Sequence, residues 1–381
     1  MSIQAIKLSV LVQIVPRLPP AIDGLGDYAL NLARQLRQDF GIATHFLVGD
    51  PTWIGNPEIE GFPIRQVTER SANTLLSLLP SGKSTVLLHY VGYGYAQRGC
   101  PFWLVDGLQR WRTANANHHL VTMFHELYAS GLPWTSAFWL SPWQRNLVAR
   151  LARLSDRAIT SKQLYGETLH KLSKSKHTHI SAIPVFSNIG EPKNLLPLAK
   201  RQRRLVVFGG RNRRLRIYQH SLAVLSRTCK ILKIKEVVDI GAATGLALSS
   251  VNGVPIMEMG KQSASVISTI LANSLAGFLD YTPDFLAKST IFAAYCAHGM
   301  LPVNTCCTTL QVDGIESEKH YWIPDEQATE LPNIAEVQVI ADNAYTWYQS
   351  HNLPVQAQIF ANLLTAMKVT NLGIECTIIN P

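Results

Sequence analysis

The sequence predicts an α/β protein built as two Rossmann-like domains in series with a central cleft. Three observations carry that expectation. A chain of 381 residues is long for one compact unit, and two domains of about 150 to 200 residues each are the ordinary outcome. Short apolar runs alternate with segments of helical periodicity, the pattern of a parallel sheet flanked by helices. A strand, a glycine-containing loop and a helix follow one another near the N-terminus and again after residue 204.

In the first half, Lys7 to Val15 (KLSVLVQIV) reads as a buried first strand. It leads through a Pro-rich turn into Gly24-Leu25-Gly26, read as a loop, and then into a helix marked by Leu30, Ala33, Leu36 and Phe40. Glycines at such a junction let backbone approach a ligand closely, and they equally serve a tight turn. Further strands are expected at Thr44 to Val48, Thr85 to Tyr90, Leu120 to Phe124, Ala158 to Thr160 and His179 to Val185. His125 directly follows one of them, at the strand end where open α/β sheets place ligands, and an ordinary loop histidine is the alternative. Trp139 to Arg157 forms a basic amphipathic helix, suited to an acidic membrane surface or to a core-facing helix with a solvated basic side.

Ser187 to Arg204 breaks the alternation with Pro, Gly and charge and is expected as the linker between domains at 1–190 and 200–340. The pattern then restarts: strand Leu205 to Phe208, a basic glycine-containing loop from Gly209 to Arg216, and a helix from Ile217 to Leu232. Strands are expected at Glu236 to Ile240, Val254 to Met257, Leu275 to Leu279 and Leu301 to Asn304, and helices at Ala341 to Ser350 and Val355 to Met367.

Between Phe278 and Val303 the chain reads FLDYTPDFLAKSTIFAAYCAHGMLPV. A strand end and a loop with Asp280 and Asp284 precede Lys288-Ser289-Thr290, which opens an apolar helix. The unpaired N–H groups of a helix start, next to a lysine, suit an anionic group such as phosphate; a plain N-cap with a solvated lysine is the alternative.

Composition narrows the classes. Apolar residues make up 47% and charged residues 16%, the balance of a globular chain with little room for long disordered tails. No uninterrupted apolar run reaches the roughly 18 residues of a membrane span, and no signal peptide is recognisable, so a cytoplasmic protein is expected, with peripheral contact at the inner membrane face left open by the basic helix. The six cysteines show no CxxC spacing, so neither a metal site nor a disulfide framework is expected. A net charge of +9 points to an anionic partner. The basic residues lack the aromatic interleaving of a nucleic-acid surface, and no nucleic acid is expected.

With these pieces placed, the chain resembles glycosyltransferases of the GT-B fold, and among them the family-four group of nucleotide-sugar-dependent enzymes. Gly24-Leu25-Gly26 is similar to that family's first glycine-rich loop, and His125 to the histidine near the donor sugar. Arg211 and Arg216 are similar to the basic pair that opens the second domain. Gly260 to Ser274 looks like its surface helix, and AAYCAHGMLPV like its helix, glycine and buried strand. The resemblance implies catalysis involving His125 and donor binding through Gly24, Gly26, Arg211, Arg216, Lys288, Ser289 and Thr290. It also implies transfer of a sugar from a nucleotide-diphosphate donor to a sugar, lipid or metabolite acceptor, without an obligatory metal and with no cofactor beyond that co-substrate. The last helices, in 341–381, would cross back to the N-terminal domain. The chain departs from the family where many relatives carry two glutamates eight positions apart, because those places hold Leu286 and Ala294. The donor's base and the stereochemical outcome stay open.

Two other readings compete. Val237 to Gly245 (VVDIGAATG) looks like the strand and loop of S-adenosylmethionine-dependent methyltransferases, but only Leu246 to Gly253 is left for the crossover helix that such a fold needs. A GT-B-like protein that binds a nucleotide sugar without turnover is the second alternative.

Overall fold

The structure, a computed structural model, describes residues 10–129, 131–308, 310–324 and 333–365. They form two compact units: the residues up to Ile183 together with the segment from Leu353, and Pro184–Asn352.

The first unit contains, in chain order, β1 (Leu11–Val15), α1 (Gly24–Phe40), β2 (Thr44–Val48), β3 (Glu58–Ile59), β4 (Phe62–Gln66), α2 (Ala72–Leu78), β5 (Ser84–Tyr90), α3 (Gly92–Tyr95), α4 (Phe102–Ala114), β6 (His118–Phe124), α5 (Ser136–Leu154), β7 (Arg157–Thr160), α6 (Gln163–Leu172) and β8 (Ser181–Ala182). The eight strands lie in the order β3-β4-β2-β1-β5-β6-β7-β8. Every pair is parallel except the β3–β4 hairpin. Because helices cover both faces, the central strands are mostly apolar, and all of β1 and β5 is buried. Alternation divides them between two cores. Val12, Ile14, Val86 and Leu88 face one, and Val15, Phe46 and Val48 face the other.

In the second unit a short 3₁₀ turn (Leu198–Lys200) precedes β9 (Gln202–Phe208), α7 (Arg211–His220), α8 (Leu222–Ile231), β10 (Glu236–Ile240), β11 (Ser250–Val251), β12 (Val254–Gly260), α9 (Ala264–Ala272), β13 (Ser274–Leu279), α10 (Thr290–Ala297), β14 (Leu301–Asn304) and α11 (Ile334–Gln349). Its sheet runs β11-β12-β10-β9-β13-β14, parallel apart from β11–β12. Leu205, Val207, Ile217, Val237, Phe278 and Val303 centre its core. The final helix, α12 (Leu353–Thr365), belongs to the first unit. It packs on α1, where the buried Tyr28 hydroxyl donates to Gln356 Oε1 at 2.7 Å.

Several elements differ from the sequence expectation. The segment Ser187 to Arg204 is folded into the second unit: Ser187 N donates to the Tyr348 hydroxyl at 2.9 Å, and Leu198 N to Gln338 Oε1 at 2.7 Å. The expected strand His179 to Val185 shortens to Ser181–Ala182, and the β3–β4 hairpin was unforeseen. The helix expected at Ile217 to Leu232 begins at Arg211 and breaks at Ser221, because arginine is a good helix former and nothing after Gly210 delays the start. Residues 7–9 of the first expected strand and 366–367 of the last expected helix lie outside the described residues.

Gly24-Leu25-Gly26 is also helical. It forms the first turn of α1, with Asp23 as N-cap accepting from Leu25 N at 3.0 Å. Gly26 is required there by space, since a Cβ at that position would stand 2.3 Å from the Arg17 carbonyl oxygen. Gly26→Ala should therefore cost about 1–3 kcal/mol in urea-denaturation stability. Gly82→Ala, with nothing within 4 Å of the added carbon, should be near neutral.

Candidate functional site

Parallel strands β10, β9, β13 and β14 end on the same edge of the second sheet, and Arg214 holds together the loops that leave β9 and β10. This arginine is among the largest fully buried side chains of the protein, with 1% of its surface exposed. Its guanidinium pairs with Asp239 on β10 and donates to Gly209 O at 2.9 Å and to Ala242 O. The Tyr218 hydroxyl donates to the other Asp239 oxygen at 2.7 Å. Burial pushes the Asp239 carboxyl up from its ordinary value, and the Tyr218 hydroxyl and Arg214 guanidinium pull it down. Gly241, at φ +149, lets the two loops touch, because a Cβ there would lie 2.4 Å from the Gly209 carbonyl oxygen.

Arg214 was not singled out from the sequence. The signal was present: Arg214, Ile217, Tyr218 and Ser221 fall on one helical face, and Asp239 sits in a strand otherwise apolar from Val237 to Ile240, where a carboxylate requires a partner.

Arg211 and Arg216, expected in a loop, lie on α7. Arg211 donates to Ala243 O at 3.2 Å and to Thr244 O at 2.8 Å, pinning the loop after β10. Arg216 Nε donates to Asp280 Oδ2 at 2.7 Å, and Thr305 Oγ1 donates to the other oxygen at 2.9 Å. Asp280 is buried while Arg216 is 52% exposed, beside an open depression of 510 Å³ lined also by Asn212, Leu215, Gln219 and His220. Arg213 stacks over Tyr281, 4.4 Å from its centroid, and Asn304 holds both the N–H and the carbonyl of Tyr281. Gly210 caps α7 without any side-chain hydrogen bond, which leaves that helix start open to an outside acceptor.

The loop after β13 continues through a 3₁₀ turn, Pro283–Lys288, whose last residue places Nζ 5.5 Å from the Phe285 ring centroid. Ser289 is buried and caps α10, accepting from Phe292 N at 3.2 Å; Thr290 is the first helical residue. An added Cβ on Gly209 would stand 2.5 Å from Ile291 Cδ1, so the starts of α7 and α10 are neighbours. The structure thus gathers Arg211, Arg216, Ser289 and Thr290 at one sheet edge, together with the turn ending in Lys288. Leu286 and Ala294, the two positions at which the sequence departs from the pattern it resembles, are buried apolar residues.

Gly24, Gly26 and His125 belong to the first unit. The start of α1 carries two carboxylates, Asp23 and Asp27, and so disfavours an anion. Burial, then Asp23, push the Asp27 carboxyl up to about 6, with Arg34 opposing. His125, at the end of β6, donates its backbone N–H to Tyr90 O at 3.0 Å, and its Nε2 stands 3.1 Å from His89 Nδ1. His89 Nε2 is 2.9 Å from Gln13 Oε1. The Gln13 oxygen fixes the His89 proton on Nε2, so His125 donates to His89 and is held in one tautomer. Burial, then His125, hold His89 well below the usual histidine range, so it stays neutral. Tyr28 meets both rings edge-on. Gln13 and His89 were missed, although a polar residue inside each of two apolar strands marks them.

Among the described residues no group of three or more His, Cys, Asp or Glu side chains could hold a metal ion. No described helix is long and apolar enough to cross a membrane. Between β10 and β12 there is no crossover helix. The chain instead makes β11, antiparallel to β12, so the methyltransferase-like motif lacks the element that fold requires.

No protein-family model and no curated protein matches the sequence. Solved structures do. The α,α-trehalose 6-phosphate synthase of Burkholderia multivorans matches with a TM-score of 0.61 at 12% identity, over 98% of this chain and all of that one. An α-glucosyltransferase in complex with UDP and a 13-mer DNA matches at 0.60 and 9% identity, over 93% and 99%. A UDP-N-acetylglucosamine 2-epimerase from Listeria monocytogenes, described as putative, matches at 0.56 and 13%, over 97% and 100%. Likenesses this distant in sequence establish the fold: the chain has the two-unit α/β architecture of the GT-B class.

Two outcomes test the electrostatics. Arg214→Met leaves a buried carboxylate unpaired and should cost about 3–5 kcal/mol in urea denaturation, part of which Asp239→Leu in the same chain restores. Asp27 has its folded pKa raised above its unfolded value, so stability falls as pH rises from about 4 to about 6. Asp27→Asn should therefore stabilise the protein at pH 8, by about 1–2 kcal/mol after discounting for solvent screening, and leave it unchanged near pH 4.

Proposed function

We propose that this protein is a glycosyltransferase, of the kind represented by the family-four group, that moves a sugar from a nucleotide-diphosphate donor to a sugar, lipid or metabolite acceptor. The observation that carries the reading is the open start of α7, Gly210-Arg211, at the C-terminal edge of a parallel sheet, flanked by Arg216 and next to the start of α10. Breaking a sugar–phosphate bond leaves negative charge on the departing diphosphate, and helix N–H groups with fixed cations are the groups that stabilise it. Arg211 and Arg216 would hold the diphosphate with Lys288 and the turn at Ser289-Thr290, without an obligatory metal.

In the first unit, His125 would touch the donor sugar. Its ring is oriented by His89 and Gln13, which are positioning residues. Gly24 and Gly26, beside Asp23 and Asp27, would meet sugar hydroxyls, which carboxylates accept, in preference to phosphate. The protein would work in the cytoplasm, with a peripheral contact at the inner membrane face. The UDP in the α-glucosyltransferase complex and the UDP-sugar in the epimerase's name support a uridine nucleotide as the first donor to try.

A second reading, binding of a nucleotide sugar without turnover, is favoured by Leu286 and Ala294, because core-facing apolar residues occupy both acid positions. Release of nucleotide diphosphate in a panel of donors and acceptors separates the two.

Titration calorimetry with UDP in the presence of a chelator should show binding that Arg216→Ala and Lys288→Ala each weaken roughly tenfold or more, the weight of a charge-assisted contact. Unchanged affinity in both variants would remove the assignment.

A further inference from the structure

The most exposed aromatic side chains of the protein gather at one place in the first unit. Trp134 is 79% exposed, Trp139 69% and Trp143 59%. Phe138 and Trp139 meet edge-on at 5.4 Å between centroids, and Phe102 of α4 meets Trp143 at 6.1 Å, so the group draws on two helices. It rests on a rigid base. The C-terminal half of α5 buries Leu147, Val148 and Leu151 in the core of the first unit. Gln144, also buried, accepts from Ala129 N at 2.8 Å and donates to Arg98 O at 3.0 Å and to the Tyr93 hydroxyl at 3.2 Å. A cluster of large apolar side chains held outward in this way marks a binding surface.

Charge identifies what it binds. From Leu127 to Ser155 there is no Asp or Glu, while Arg145 lies exposed beside Phe138 and Trp139 in a depression of 780 Å³, and Arg98 is exposed on the loop that Gln144 holds. A second copy of the chain would set these cations against their own copies, with no carboxylate in the segment to pair them. A neutral polymer would leave them unused. An anionic bilayer satisfies both features: indoles settle at headgroup depth with the ring in apolar surroundings and the N–H in water, and arginines pair with phosphates.

We propose that the N-terminal half of α5, with Trp134 ahead of it, docks the protein on an anionic lipid surface, with Trp139 and Trp143 entering the headgroup layer and Arg98 and Arg145 at its rim. This deepens the membrane-contact element of the proposed function and rests on that reading for its purpose. Its test reads lipid binding alone and is independent of nucleotide affinity.

The full chain is sedimented with vesicles of phosphatidylcholine, or of phosphatidylcholine mixed with phosphatidylglycerol, and Trp emission is followed in parallel. The wild type should bind the mixed vesicles with a blue-shifted emission and bind pure phosphatidylcholine weakly. Trp139→Ala/Trp143→Ala should lower partitioning roughly tenfold or more, and Arg145→Glu should lower it on mixed vesicles only. Circular dichroism and thermal melting should be unchanged, because these side chains are exposed. Absence of wild-type binding, equal binding to both lipids, or wild-type partitioning by the double variant would overturn the proposal. So would self-association in ultracentrifugation, or binding of a single-stranded oligonucleotide, if it is abolished by the same double substitution while vesicle binding is not.

Discussion

The candidate site depends on one buried ion pair. Arg214 and Asp239 lie beneath the loops that leave β9 and β10, and the same guanidinium also holds the Gly209 and Ala242 carbonyls. A charge placed so deep is costly unless every donor and acceptor around it is used. Here the remaining carboxylate oxygen is taken by Tyr218, and the backbone closes over the pair at Gly241. The open start of α7 keeps its place because the residue three positions into that helix cannot move without stranding an acid in the core. Arg211 and Arg216 then act from a fixed platform, one binding the loop after β10 and the other the loop after β13.

The two helix starts that the sequence makes look alike are electrostatic opposites. Both follow a strand and carry glycine. The start of α1 is capped by a carboxylate with a second carboxylate one turn on, whereas that of α7 has no side-chain cap and is surrounded by guanidinium groups. The helix dipole favours an anion at the second and is already neutralised at the first by its own chain. Glycine spacing is common to both and so cannot tell them apart; the neighbouring charges can.

The fold was legible because its strands are apolar on both faces and separated by helix-periodic stretches, and this pattern survives without knowledge of any contact. Elements with little apolar content were not. The β3–β4 hairpin is two short polar-flanked strands, and the helical state of Arg211 to Arg216 was hidden by reading consecutive arginines as a loop. Site residues divided along the same line. Arg216 and Ser289 could be found locally, from charge and from the residue preference of a helix cap. Gln13, His89 and Arg214 act through partners that lie 76, 36 and 25 positions away, and only the odd polar residue in an apolar strand hints at them.

The packing of α12 on α1 bears on how the chain is made. The second unit is one contiguous stretch, complete as soon as residue 352 has been synthesised. The first is interrupted: its opening helix keeps an apolar flank and the Tyr28 hydroxyl uncovered until a segment more than three hundred positions later arrives to cover them. During translation the half that emerges first is therefore the last to be finished, and it passes through synthesis of its neighbour with a sticky seam still open.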